Sequence, residues 1–299
     1  MKITKHNMRC FNEHMGNWMM HTQRFNQLHD LIMSDNISFS DLPDVAAMDD
    51  MTTEEHDAMI TPITQGGVMI IPIEGTIMRA QSSYGGTSSV QVRRILRNAS
   101  TNPKVKGIML KIDSPGGTVA GTDEMAADIA MVAALKPIHA HVDGLMASAA
   151  FWTGAQASYI TATRTSEIGS LGTVAVVHDM SEAAAKEGIK VHVISTGPHK
   201  GAFTPGSEVT EAQLEDLQKT VDTLNVFFMN AVAEARGFDM DKTKSLFDGR
   251  THIAADALDL GLIDGIAGFD EAIRNLENTV ALDAVDSEEA IALARSRRR

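Results

Sequence analysis

The sequence predicts an α/β fold with mostly parallel strand pairing, and three observations carry that expectation. From about residue 66 onward, short apolar runs alternate with longer stretches of helical character, the order that produces strand–helix–strand units. Glycine-containing turns such as Ser114-Pro115-Gly116-Gly117 and Gly144 stand between the runs and the stretches that follow them. The chain has 299 residues with 43% hydrophobic content. A chain of that length buries roughly 75% of its unfolded surface, which is enough for a sizeable core.

Taken in order, Val68 to Ile73 reads as a buried strand, and Ser88 to Ala99 as a helix capped by Ser88 or Ser89. Val105 to Ile112 is a second strand, followed by the Ser-Pro-Gly-Gly loop and a helix over about 122–134 with small residues on one face. Pro137 to Val142 is a third strand, and a turn at Gly144 leads into a small-residue helix from about Ala147 to Ala157. Further strands are expected at 158–162, 172–177 and 190–194, then a long helix over roughly 210–236. No repeat of fixed period is present.

Residues 1–65 read as an N-terminal extension. Its first 60 residues hold nine of the 18 methionines and five of the 11 histidines, with four Lys/Arg against ten Asp/Glu. The acidic part from Asp41 to Asp57 shows little periodicity and reads as a linker or a loosely attached helix, partly disordered. The folded domain is expected over 66–276, and the charged tail 277–299, containing SEEAIALARSRRR, as a fraying helix.

A net charge of −13 creates no global positive field, so nucleic acid and anionic lipid are not expected partners. The one cysteine, Cys10, cannot close an intramolecular disulfide, which fits a reducing, cytoplasmic setting. Nowhere do about 18 uncharged apolar residues run together, so neither a signal peptide nor a membrane span is expected. Cys10, His14 and His21 could suggest a metal site but have no recognised ligand spacing. No metal or cofactor is expected.

The strongest local signal is Asp113-Ser114-Pro115-Gly116-Gly117 directly after an apolar strand. A glycine pair there lets the backbone adopt conformations closed to other residues and can aim N–H groups into a cleft, which is how an oxyanion hole is built. A plain strand-to-helix turn is the other reading. Ser148 follows in Gly144-Leu145-Met146-Ala147-Ser148-Ala149-Ala150-Phe151-Trp152. A serine among alanines at a helix start can present its hydroxyl where the first-turn N–H groups favour negative charge, although such a serine also serves for helix packing.

A nucleophilic serine needs a base. No histidine lies between Ser148 and His178, and His139 and His141 sit on the strand before the serine, where a structural imidazole is expected. The alternative is Lys200 in Ser195-Thr196-Gly197-Pro198-His199-Lys200-Gly201. Desolvated in a cleft, a lysine loses affinity for its proton and can act as a base; an exposed surface lysine is the bland reading. Ser170, in Gly169-Ser170-Leu171-Gly172, could hold that amine or be an ordinary loop serine.

In this order and spacing, DSPGG, MASAAFW, GSLG and GPHK, followed by Phe247-Asp248-Gly249-Arg250 and the ALDLGLID run from Ala257, resemble the signal peptide peptidase A-type Ser/Lys proteases. The resemblance covers about residues 66–270. It implies the ClpP/crotonase fold, a spiral of ββα units, and a serine endopeptidase in which Ser148 is the nucleophile, Lys200 the base and Ser170 the residue orienting the amine. It also implies oxyanion donors at Gly117 and Ala149, with Gly116 shaping the turn. An extended substrate would pair with Thr118, Val119 and Ala120 as an added strand.

The lead-in from Gly66 to Gly75 and the SAAFW form of the nucleophile segment resemble the tailed-phage branch, the head maturation proteases. That branch implies scaffold, portal or major capsid protein as substrate, a homo-oligomer, and a location in the host cytoplasm within the prohead. Three alternatives remain open at this point: a bacterial soluble signal-peptide-peptidase-like protease, acyl-CoA chemistry of the crotonase type, and a non-catalytic capsid-assembly protein.

Overall fold

The computed structural model describes residues 18–20, 57, 60–80 and 85–296, with side chains through residue 283. The first elements are β1 (Trp18–Met20), β2 (Val68–Glu74), β3 (Ile77–Met78), β4 (Thr87–Ser88) and α1 (Ser89–Thr101). Next come β5 (Gly107–Ser114), β6 (Gly116–Thr118), α2 (Thr122–Ala133), β7 (Ile138–Ala147) and α3 (Ala149–Gly154). Then follow β8 (Tyr159–Ala162), β9 (Glu167–Gly169), α4 (Ser181–Lys186), α5 (Glu211–Arg236) and α6 (Met240–Leu246). The last are β10 (Thr251–Ile253), α7 (Ala254–Asp259), β11 (Gly265–Ile266) and α8 (Phe269–Ser296).

These elements make an α/β fold around two sheets. In the larger, β10-β9-β7-β5-β2, the β9-β7-β5-β2 pairings are parallel, and β2 and β5 are largely buried apolar runs, as strands covered on both faces must be. In the smaller, β1-β6-β3-β4, β6 and β4 flank β3 in parallel and β1 runs antiparallel to β6. Helix α1 is started by Ser88, whose Oγ accepts the Gln91 N–H at 3.3 Å, and it buries Val92, Ile95, Leu96 and Ala99 on one stripe. Helix α5 opens with a reciprocal Thr210–Gln213 capping box and ends at Gly237, whose φ of +64° closes the last turn.

Strand β7 serves two neighbours on one edge, and this positions the site. His139–Val142 pair with Tyr159–Ala162 of β8, and Leu145–Ala147 pair with Glu167–Gly169 of β9. Between them Gly144 adopts φ +133°, and a Cβ there would come within 2.6 Å of the Asp113 carboxylate. Asp113 Oδ1 accepts the Leu145 N–H at 3.0 Å and fixes the second half of the strand.

Several expectations change. The third strand does not stop at Val142 but runs to Ala147, so the helix expected from Ala147 begins at Ala149 and is only six residues long. No strand forms over 172–177 or 190–194. Those β-branched runs lie in a stretch from 174 to 210 that is exposed over most of its length, and apart from a single bridge at Val174 they join no ladder among the described residues. The short strand β9 was not anticipated. Residues 277–296 continue α8 rather than starting a new element, and residues 18–20 join the smaller sheet. Of the acidic stretch 41–57 only Asp57 is described, ion-paired to Arg94 at 2.9 Å; the rest, and Cys10, His14 and His21, lie outside the described residues.

Candidate active site

Strand β7 ends at Ala147 and α3 begins at Ala149, so Ser148 alone turns the chain from strand into helix. It does so at φ +55°, ψ −117°, a region that residues with a Cβ avoid at a cost of about 1–3 kcal/mol. The surroundings over-determine it. The Ser148 N–H donates to the Gly169 carbonyl at 2.8 Å, its own carbonyl accepts the Trp152 N–H at 3.0 Å, and Ala147, Ala149 and Ala150 are fully buried around it. Its hydroxyl donates to the Gly172 carbonyl at 3.3 Å. Beneath α3, Trp152 stacks on Phe228 of α5 with ring centres 5.0 Å apart, and Phe228 meets Phe247 edge-on at 4.9 Å.

Register brings the second serine to the first. Ala147 of β7 pairs with Gly169 of β9, so Ser148 and Ser170 each follow one member of the same pair. Ser170 is buried, has φ +49°, and donates its N–H to the Arg250 carbonyl at 2.6 Å. Gly169 must be glycine, since at φ +133° a Cβ would come 2.6 Å from that same Arg250 oxygen.

The glycine loop packs against this turn. Gly116, at φ +95°, donates its N–H to Ser114 Oγ at 3.2 Å, and Ser114 Oγ in turn donates to the Gly75 carbonyl at 2.6 Å. A Cβ on Gly116 would lie 3.0 Å from Ala149 N and 2.8 Å from the Ala147 carbonyl oxygen. Gly117 packs still closer to β3, where a Cβ would stand 1.8 Å from the Ile77 carbonyl oxygen. A residue larger than glycine at either position would push the loop off the Ser148 turn.

Among the sequence-derived candidates, Ser148, Ser170, Gly116, Gly117 and Ala149 are therefore brought together. Of Thr118, Val119 and Ala120, only Thr118 lies in β6; Val119 packs on the core and Ala120 leads into α2. Lys200 is not brought to Ser148. Its side chain is exposed in the turn at 197–203, where its backbone N–H donates to the Gly197 carbonyl at 3.2 Å and the neighbouring His199 faces Asp216 of α5. The enclosing cleft expected around this lysine is not formed among the described residues.

Sequence reasoning missed the supports: the Gly169 and Arg250 carbonyls, Ser114, and the strand β1. The FDGR run was noticed but given no task, and here it supplies the carbonyl that holds Ser170. Next to Ser170 lies a cavity of about 300 Å³ bounded by Met20, residues 170–174, the middle of α5 and residues 247–249. Two of its lining groups, Thr173 Oγ1 and Asn225 Oδ1, are buried without a hydrogen-bond partner among the described residues, so polar capacity is left over there.

A model of Peptidase family S49 matches residues 130–283, just over half of the chain, and the match contains Ser148, Ser170 and Lys200. The chain belongs to peptidase family S49. Among its relatives in that comparison, Putative protease MJ0651 of Methanocaldococcus jannaschii is 32% identical over 183 residues, 61% of this chain and 59% of that one. Capsid assembly protease C of Escherichia phage lambda is 28% identical over 278 residues, 85% of this chain and 61% of that one. Protease 4 of Salmonella typhi is 28% identical over 215 residues, 71% of this chain and 35% of that one. The chain thus spans less than two thirds of the length of each. The ClpP protease catalytic domain of Plasmodium falciparum superposes with a TM-score of 0.43 at 13% identity, over 67% of this chain and 85% of that one. As in other α/β folds, this S49 chain puts its candidate residues at the ends of parallel strands, with Ser148 after β7 and Ser170 after β9.

Proposed function

We propose that this S49 chain is a serine endopeptidase in which Ser148 is the nucleophile and Lys200 the general base. The observation that carries the reading is the strained strand-to-helix turn at Ser148. A serine held at φ +55° beside the Gly116–Gly117 loop and the first turn of a helix is a costly arrangement with no evident packing benefit. In the reaction, Ser148 Oγ attacks a peptide carbonyl carbon as the neutral Lys200 amine takes its proton. That amine then protonates the leaving nitrogen and activates the water that hydrolyses the acyl-enzyme. The N–H groups of Gly117 and Ala149 serve as donors to the oxyanion, each such donor being worth about 3 kcal/mol. Ser170 orients the lysine amine.

The lysine must travel to act. In this reading its amine reaches Ser148 when copies of the chain assemble, which also encloses it. Exposed apolar side chains support an assembly surface: Val176, Met180, Ile189, Val193 and Ile194 on the 174–210 stretch, and Val226 and Phe227 on α5. The relative named Capsid assembly protease C, similar over 85% of this chain, supports proteins of a phage prohead as substrates, namely scaffold, portal or major capsid protein. Action there places the enzyme in the host cytoplasm. No helix among the described residues is long and apolar enough to cross a membrane.

The test is hydrolysis of an unstructured protein substrate by wild type, Ser148→Ala and Lys200→Ala. Each variant is expected to lose about 10³-fold or more in rate while keeping the wild-type circular dichroism spectrum. A folded variant that keeps a tenth of the wild-type rate removes its residue from the mechanism.

A further inference from the structure

Helix α5 presents one stripe to the cavity beside Ser170. Gln218, Val221, Asp222 and Asn225 stand at the i, i+3, i+4 and i+7 positions of one helical face, and all four line it. Further along the same helix the buried positions are apolar: Phe228 and Val232 are fully enclosed in the core. The polarity of the stripe is thus kept for the part of the helix that borders the cavity.

The polar groups around that cavity are mostly acceptors that nothing fills. Asn225 turns its Nδ2 to Met229 Sδ at 3.5 Å, which leaves Oδ1 buried and without a partner among the described residues. Thr173 Oγ1 is in the same state. Asp222 meets a neutral amide, Gln218 Nε2 donating to its Oδ1 at 2.7 Å, and no cation among the described residues pairs with it. Asp248 differs: Arg250 donates its backbone N–H to Oδ1 at 3.0 Å and its Nε to Oδ2 at 2.7 Å, so that carboxylate is already neutralised. No Lys, Arg or His lines the cavity among the described residues. One uncompensated negative charge and two unpartnered oxygens therefore stand beside the apolar faces of Val221 and Phe247, and Phe247 is held by its edge-on contact with Phe228. Buried acceptors without donors cost free energy that an incoming donor restores.

Position ties the cavity to the chemistry. Ser148 Oγ donates to the Gly172 carbonyl at 3.3 Å, and Gly172 lines the cavity together with Ser170. Its volume of about 300 Å³ lies at the bottom of the range of about 300–1,000 Å³ for small-molecule pockets, which suits one long side chain. We propose that this cavity takes a lysine or arginine side chain of the substrate, carried by a residue near the scissile bond, with Asp222, Asn225 and Thr173 setting that choice. The inference rests on the protease reading above and deepens it by naming a substrate class. Such a side chain is an aliphatic stem that ends in a cation with several N–H donors. The stem packs on Val221 and Phe247, while the head donates to Asn225 Oδ1 and Thr173 Oγ1 and pairs with Asp222. An apolar side chain of equal length fills the volume but leaves the acceptors empty, and an acidic one is repelled by Asp222.

The experiment measures kcat/KM of full-length wild type, Asp222→Asn, Asp222→Lys and Asn225→Asp on fluorogenic peptides in which one position at a time around the scissile bond carries lysine, norleucine or glutamate. Asp222 is exposed, so its variants are expected to keep the wild-type circular dichroism spectrum. At one position, wild type is expected to prefer lysine to norleucine about tenfold and lysine to glutamate about 100-fold. Asp222→Asn should lower the lysine-to-norleucine ratio to about two, Asp222→Lys should reverse it, and Asn225→Asp should raise it about threefold. A wild type that hydrolyses the peptides with no preference for lysine at any position overturns the inference and leaves the protease reading intact. A lysine preference that survives Asp222→Lys unchanged has its source elsewhere and also overturns it. A uniform fall in kcat across all peptides in the Asp222 variants, with the ratios unchanged, does the same and makes the cavity a seat for the catalytic amine. A wild type that hydrolyses none of the peptides overturns both readings.

Discussion

Replacing Ser148 by glycine should make the protein more stable than replacing it by alanine, although both substitutions remove the hydroxyl. Alanine keeps the Cβ that makes φ +55°, ψ −117° unfavourable, whereas glycine does not. The φ falls in the left-handed range but ψ −117° lies far outside that well, so the relieved strain belongs to the upper part of the range, about 2–3 kcal/mol. Against it stand about 0.7 kcal/mol for the extra freedom of glycine in the unfolded chain and about 0.8 kcal/mol for the buried methyl that is lost. The 3.3 Å hydroxyl bond to the Gly172 carbonyl is absent from both variants and cancels. What remains is about 1 kcal/mol in favour of glycine, a rise in Tm of about 2–3 °C for a chain of this size. Thermal unfolding of the two inactive variants by calorimetry reads this directly, without interference from proteolysis. A Ser148→Gly protein that unfolds at or below the temperature of Ser148→Ala would show that the turn is unstrained and would remove the main structural support for a nucleophile at this position.

Two further outcomes are expected. Gly117→Ala puts a methyl 1.8 Å from the Ile77 carbonyl oxygen, so β6 must withdraw from β3 by about 1 Å or more; peptide hydrolysis should fall about 100-fold and stability by about 2 kcal/mol, and near-normal kinetics in this variant would exclude the loop from the site. His141 is fully buried, with Nδ1 on Thr161 Oγ1 at 2.9 Å and Nε2 without a partner among the described residues. Burial pushes its pKa below the usual histidine value, Asp143 opposing and Lys111 assisting. The folded state therefore resists protonation that the unfolded chain accepts. The corresponding stability is complete above about pH 6.5 and is lost as pH falls through that value toward the lowered one. His141→Gln should flatten the decline in the urea midpoint between pH 7.5 and pH 5; a parallel decline in wild type and variant would assign the acid sensitivity elsewhere.

The parts of the fold legible in the sequence are those whose cause is local. Val68–Glu74 and Gly107–Ser114 are buried runs that read as strands from their own residues, and Ser88 and Thr210 mark helix starts by cap chemistry. What was not legible depends on distant partners. The run from Gly172 has β-branched residues but forms only a single bridge, at Val174, while Glu167–Gly169 has only three residues and becomes a strand because β7 and β10 flank it. At the site, Ser148, Ser170 and the glycine pair could be picked out by motif, but not the geometry that relates them. Their relation is set by the Ala147–Gly169 register, which no spacing along the chain encodes. The pairing of Trp18–Met20 with Gly116–Thr118 was hidden for the same reason, inside a methionine-rich stretch without periodicity. Lys200 shows the reverse: the motif singled it out, and the fold of one chain leaves it on an exposed turn.

The central claim is that the hydroxyl at the strained turn is the reacting group. Treating the wild type with a fluorophosphonate and mapping the adduct by peptide mass spectrometry, while following hydrolysis of a protein substrate, tests it most directly. The account predicts a single adduct on Ser148 whose accumulation matches the loss of hydrolysis. A preparation that hydrolyses substrate at full rate with Ser148 modified, or whose inactivating adduct maps to another serine, would contradict it.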